Sequence, residues 1–151
     1  MKKEIFVFKS SILIAWIMFL SIISMSYYEL FQSSYLNSNK MNLVLYSLVI
    51  LYTISFIFFS FILFNINKLL NKNIAEICSK SSIPSINIMI NLSKIMAFIH
   101  FISIPLFYII GEVDDAAGLI IIGLILFSFP IIILSIASFI KKIILVQIKN
   151  K

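Results

Sequence analysis

The sequence predicts an all-α membrane protein, an antiparallel four-helix transmembrane bundle, and three observations carry that prediction. Four long stretches hold almost no charge, the lysines gather on alternate connections between them, and the composition is far from that of a soluble domain. Hydrophobic residues make up 62% of the 151, and the mean hydropathy is +1.12. Soluble domains are close to half apolar and about a quarter charged. With only 12% of residues charged, a water-exposed surface cannot be covered, so lipid must cover most of it.

The spans follow in order, each judged against the roughly 20 residues needed to cross a hydrocarbon core of about 30 Å. Span one is residues 10–28, closed by Lys9 and Glu29, with Tyr27 and Tyr28 as interfacial anchors. Its start, Met1-Lys2-Lys3, is like that of a signal peptide, but the apolar region is too long and lacks a small-residue cleavage site, so an uncleaved anchor is expected. Span two covers 41–64, with Tyr46 near one end. The linker 65–82 is the one connection with room for a short amphipathic helix. Ser81-Ser82 before Ile83-Pro84 reads as a helix start, since proline is harmless where amides have no partner. Span three, 87–110, includes Lys94, whose long stem can snorkel to the interface, and Pro105, expected to kink the outer half. A turn at Gly111–Asp115 forces spans three and four to be neighbours. Asp114 or Asp115 is expected to cap span four, 116–140, which carries Pro130 near its middle.

The lysines orient the bundle. Lys2, Lys3, Lys9, Lys68, Lys72, Lys80, Lys141, Lys142, Lys149 and Lys151 fall on one side, and Lys40 alone on the other. The positive-inside rule places the lysine-rich side, with both termini, in the cytoplasm of a cell whose membrane is the inner, cytoplasmic one. Arginine is absent while Ile, Asn and Lys abound, a pattern of A+T-rich coding that suggests a bacterium. The net charge of +6 is spread over three short segments flanking spans, so direct nucleic-acid binding is not expected. The partner that composition demands is the bilayer, and four small spans leave homo-oligomerisation open. Cys78 has no second cysteine to pair with and is read as inert.

Candidate chemistry is sparse. His100 is the single histidine, and at about 1.5 Å per residue it lies roughly 17 Å below the outer end of its span. Trp16, Tyr52, Thr53 and Ser128 fall near the same depth. Three readings stand: interhelical hydrogen bonding to Tyr52, Thr53 or Ser128, a proton relay or ligand contact, or a lipid-facing accident. The outer acids Glu29, Glu112, Asp114 and Asp115 offer oxygen ligands for a divalent cation or simply a solvated turn. Ser11-x-x-x-Ala15 and Ser93-x-x-x-Ala97 fit the small-residue helix-contact pattern. No hydrolase, nucleotide-binding or metal signature is present in the sequence, so neither enzyme activity nor a cofactor is expected.

At the entry to span four, Asp114-Asp115-Ala116-Ala117-Gly118-Leu119-Ile120, an Ile/Leu/Phe run and a closing lysine pair resemble the bacterial family of small four-span membrane proteins numbered 2975 among the domains of unknown function. Length, span layout and Leu69-Leu70-Asn71 agree with it, while Ala117 stands where the family has proline. Asp114, Asp115, Ala116 and Gly118 carry the motif. The resemblance implies an envelope-sensing partner of a small helix-turn-helix transcription regulator, because such genes often stand beside family members. The cytoplasmic lysines would then be the docking surface, or would only orient the protein and touch anionic lipid. The layout alone also resembles immunity proteins against membrane-active bacteriocins, in which case the outer loop between spans one and two would set specificity.

Overall fold

The computed structural model describes residues 2–33, 39–113, 115–116 and 118–149. Four long helices, α1 (Lys2–Ser33), α2 (Asn39–Leu70), α4 (Ile83–Val113) and α5 (Gly118–Lys149), hold nearly all of them. A single turn, α3 (Ile74–Ile77), and a 3-10 turn at Lys80–Ser82 lie between α2 and α4. No strand occurs among the described residues. Three helical segments, Met41–Leu70, Lys80–Val113 and Gly118–Lys149, are long and apolar enough to cross a membrane, while the apolar segment of α1, Lys9–Met25, is shorter. Leu13, Leu43, Phe64, Phe98, Ile125 and Phe139 are all more than half exposed. Large side chains exposed on every long helix suit lipid rather than water as the surrounding solvent.

The helices outrun the spans read from charge. At about 1.5 Å per residue, a helix of 32 residues is close to 48 Å long, well beyond the hydrocarbon core. A lysine marks where lipid stops but not where a helix stops, because lysine is a good helix former. So α2 continues through Lys68 to Leu70, and α5 through Lys141 and Lys142 to Lys149. The connection predicted at 65–82 shrinks accordingly to 71–82, with one helical turn in place of an amphipathic helix. Ser79, not Ser81 or Ser82, caps the 3-10 turn, its hydroxyl oxygen accepting from the Ser81 amide, and Ile83-Pro84 then opens α4. The α4 helix runs unbroken past Pro105 to Val113.

Contacts between successive long helices pair rising residue numbers on one with falling numbers on the next. Lys9, Trp16 and Tyr27 of α1 meet Asn71, Ser60 and Thr53. Tyr52 and Ser55 of α2 meet Ser103 and His100 of α4. On α4, His100, Phe107 and Gly111 meet Leu126, Gly123 and Leu119. The α4 helix is central, packing on both α2 and α5, whereas α1 leans on α2 at the edge.

The buried faces repeat every three and four residues. On α4 the seam runs through Ile86, Met89, Ser93, Met96, His100, Ser103 and Ile110, with Ser85 and Gly111 buried beside it, and on α2 through Leu48, Tyr52, Ser55, Phe59 and Ile62, with Val49, Leu63 and Asn65 buried beside it. That spacing is the seam of left-handed helix packing. On α5 the buried residues are Gly123, Pro130, Ala137 and Ile144, one per heptad. Three of these four are small, which brings the α5 backbone close to α4 where no hydrophobic force between helices operates in lipid. A Cβ built on Gly123 would lie 2.9 Å from Cδ2 and 3.2 Å from Cβ of Phe107. Gly118 has nothing within 4 Å of the same position. Gly123→Leu is therefore expected to destabilise the helix pair by about 1–3 kcal/mol through overpacking. Thermal unfolding in detergent should show a loss for Gly123→Leu and none for Gly118→Ala.

Candidate functional site, a buried polar layer around His100

Inside a bilayer the polar atoms of a helix must be satisfied by the protein itself. Most hydroxyls here do so locally: Ser47, Thr53, Ser60 and Ser135 each donate to the carbonyl four residues earlier. Among the described residues with fully buried side-chain polar atoms, Ser93 is the one whose Oγ has no hydrogen-bond partner. It lies on the packed face of α4 with Ala97 half-buried beside it, while Ser11 of the other small-residue pair is exposed.

His100 is 1% exposed and bonds to both neighbouring helices. Its Nδ1 lies 2.8 Å from the Leu126 carbonyl of α5, and its Nε2 lies 2.7 Å from Ser55 Oγ of α2. The Leu126 carbonyl needs a donor for a definite reason. Residue 130 should supply the amide that closes this turn of α5, and residue 130 is proline, which has none. A carbonyl only accepts, so the proton sits on Nδ1. In the neutral ring Nε2 is then the acceptor, and the Ser55 hydroxyl donates to it.

Above the ring, Ser103 donates to the His100 carbonyl at 2.7 Å, and the Tyr52 hydroxyl reaches Ser103 Oγ at 3.4 Å. The Tyr52 and His100 rings lie 5.1 Å apart, tilted by 49°, and Phe107 meets Tyr52 edge-on at 6.0 Å. This layer divides the interior into two apolar clusters. One holds Phe19, Phe59, Ile62, Met96 and Ala137, and the other Leu48, Tyr52 and Ile110 with Phe107 and Leu119 against them.

Depth alone nominated the right stratum but not all the right residues. Tyr52 joins the layer through Ser103 and a ring contact, not by a bond to the imidazole. Thr53 turns to α1, bonding the Val49 carbonyl and lying 3.1 Å from the Tyr27 hydroxyl. Ser128 donates to the Ile125 carbonyl and is exposed. Lys94 lies on the exposed side of α4, outside the layer. The partner that depth missed, Ser55, is three residues past Tyr52 and so on the same helical face, whereas Thr53 is rotated by about 100°. The i−4 position to Pro130 would have pointed to Leu126.

Of the motif at the α5 entry, Asp114 lies outside the described residues. Asp115 does not begin α5; it ends α4, with φ 50° in the left-handed region. The Ala116 amide donates to the Gly111 carbonyl at 2.8 Å, the long bond of a Schellman cap, so Asp115 takes the position usually given to glycine. Leu119 then donates to the Ala116 carbonyl at 3.0 Å, and α5 starts at Gly118. Among the described residues no three acidic, histidine or cysteine side chains gather as a metal site. The chain has no match among protein-family models, curated proteins or solved structures.

The arrangement is suited to fixing helix register: one ring bonds three helices together and leaves neither nitrogen open. His100→Ala is expected to destabilise the bundle, and less so when Pro130→Ala has restored an amide for Leu126. A double-mutant cycle in detergent should give a coupling of about 0.6–1.7 kcal/mol between the two positions. A coupling of zero would deny the link.

Proposed function

We propose that this chain is a four-span protein of the bacterial cytoplasmic membrane, related to the 2975 family, with both termini in the cytoplasm and no catalytic role. Its work is to carry information from the envelope to a small helix-turn-helix regulator docked at its lysine-bearing face. The observation that supports this reading is the order of the connection between α2 and α4. Lys72 Nζ donates to both the carbonyl and the hydroxyl of Ser81, at 2.9 and 3.1 Å. The hydroxyls of Ser79, Ser81 and Ser82 all reach the Glu76 carbonyl. Lys72 is therefore part of the scaffold, and Lys68 and Lys80 stand exposed on it.

Cationic side chains on an ordered connection of this kind suit an acidic face on a protein partner, since complementary charge steers encounter. Lys142 and Lys149, exposed at the end of α5, extend the basic character of that side. A crosslinked pull-down of the tagged protein from its native membrane tests the reading, with an untagged strain as control. A small DNA-binding regulator should be enriched, and Lys68→Gln with Lys80→Gln should reduce its recovery. Absence of any such regulator would overturn the proposal, and capture of a membrane-active bacteriocin would replace it with self-protection.

A further inference from the structure

The edge helix α1 does not seal against α2 along its whole length. A groove of about 280 Å³ opens between them, lined by Ile12, Leu13 and Trp16 on one wall and Leu63, Phe64 and Asn67 on the other, with Lys9 at its end. Its chemistry is divided lengthwise. Trp16, Leu13 and Phe64 are apolar and exposed at 38, 60 and 67%, so the walls face the surroundings rather than the core. Lys9 is exposed and held in place at the polar end by a 2.8 Å bond from Nζ to Asn71 Oδ1. An ammonium carries three donors, so that bond positions the charge without exhausting it. Trp16 is held as well, its Nε1–H donating to Ser60 Oγ at 3.0 Å and its ring tilted against Phe56 at 5.6 Å.

We infer that this groove is a binding site for an anionic phospholipid, its headgroup phosphate on Lys9 and one acyl chain along Ile12, Leu13 and Trp16. Three features select that occupant. The groove is open along a face with lipid-suited side chains, so a water-soluble ligand would have to approach through hydrocarbon. The single cation lies at one end, as a headgroup above a chain requires. Trp16 stands seven positions after Lys9, about 10 Å along the helix axis, which places the indole beside the upper half of an acyl chain. The inference is independent of any regulator docked at the connection between α2 and α4.

Trp16 is the only tryptophan in the chain, so its fluorescence reports on the groove alone. The protein is placed in vesicles of phosphatidylcholine and phosphatidylglycerol in which the bromine quencher is carried on the acyl chains of one lipid or of the other. One lysine near a lipid phosphate favours the anionic lipid about fivefold. Quenching should accordingly be stronger when phosphatidylglycerol carries the bromine, and Lys9→Gln should erase the difference. A reporter elsewhere separates a groove from general enrichment of anionic lipid around a basic protein. In a Trp16→Phe, Ile143→Trp chain the indole sits at an exposed position next to Lys142, outside the groove. Equal preference at that position, equal quenching by both lipids at Trp16, or a preference that survives Lys9→Gln would each overturn the assignment. So would a Trp16 shielded from both lipids, which would mean that a second copy of the chain covers the groove.

Discussion

Pro130 has no amide to give to the Leu126 carbonyl, and in the middle of a membrane that carbonyl has no water to turn to. Everything at the centre of this bundle is arranged around that vacancy. His100 of α4 fills it with Nδ1–H at 2.8 Å, which in turn leaves Nε2 to take the Ser55 hydroxyl of α2 at 2.7 Å. One missing hydrogen bond inside α5 thus becomes two bonds between helices. The geometry tolerates little slippage, because a shift by one turn, about 5.4 Å, breaks the Ser55 bond if α2 moves, the Leu126 bond if α5 moves, and both if α4 moves. The apolar clusters on either side, around Phe59 and Met96 below and Leu48 and Ile110 above, supply packing that is less particular about register.

Close approach between α4 and α5 makes this possible. Gly123, Pro130 and Ala137 fall one heptad apart on the buried face of α5, so the chain that presents the unbonded carbonyl also presents a nearly bare backbone to α4. Phe107 lies against Gly123 and edge-on to Tyr52, joining the small-residue seam to the polar layer. The short turn adds to it: Asp115, in a left-handed conformation, closes α4 and lets α5 return directly onto the same face. By contrast α1 packs chiefly on α2 among the long helices, held by Lys9 to Asn71, Trp16 to Ser60, Tyr27 to Thr53 and Phe19 stacked on Phe59.

Much of this was legible in the residues, and the limits have physical reasons. Long uncharged runs announced the helices, because composition dominates in lipid. Their ends were not legible from charge, since Lys68, Lys141 and Lys142 continue a helix as readily as they end a span. The depth of His100 and the presence of Tyr52 in its stratum could be counted along the chain. Which residue at that depth faces the imidazole depends on helix rotation, and that is why Ser55 was missed while Thr53 and Ser128 were nominated. Asp115 looked like the start of α5 because acids suit helix N-termini. A backbone conformation with positive φ, which aspartate adopts more readily than most non-glycine residues but does not require, made it the end of α4. In the connection after α2, Lys72 reads the same as Lys68 and Lys80 in sequence, and only its two bonds to Ser81 set it apart.

His100 is the one histidine in the chain, so nitrogen-15 labelling of that residue gives a spectrum without assignment ambiguity. Solid-state NMR of the labelled protein in lipid, with carbon-13 at the Leu126 carbonyl, measures where the ring proton lies and how near it is to that oxygen. The account predicts a proton on Nδ1 with transfer of magnetisation to the Leu126 carbonyl. An Nδ1 without a proton, or a protonated Nδ1 with no contact to Leu126, would contradict it.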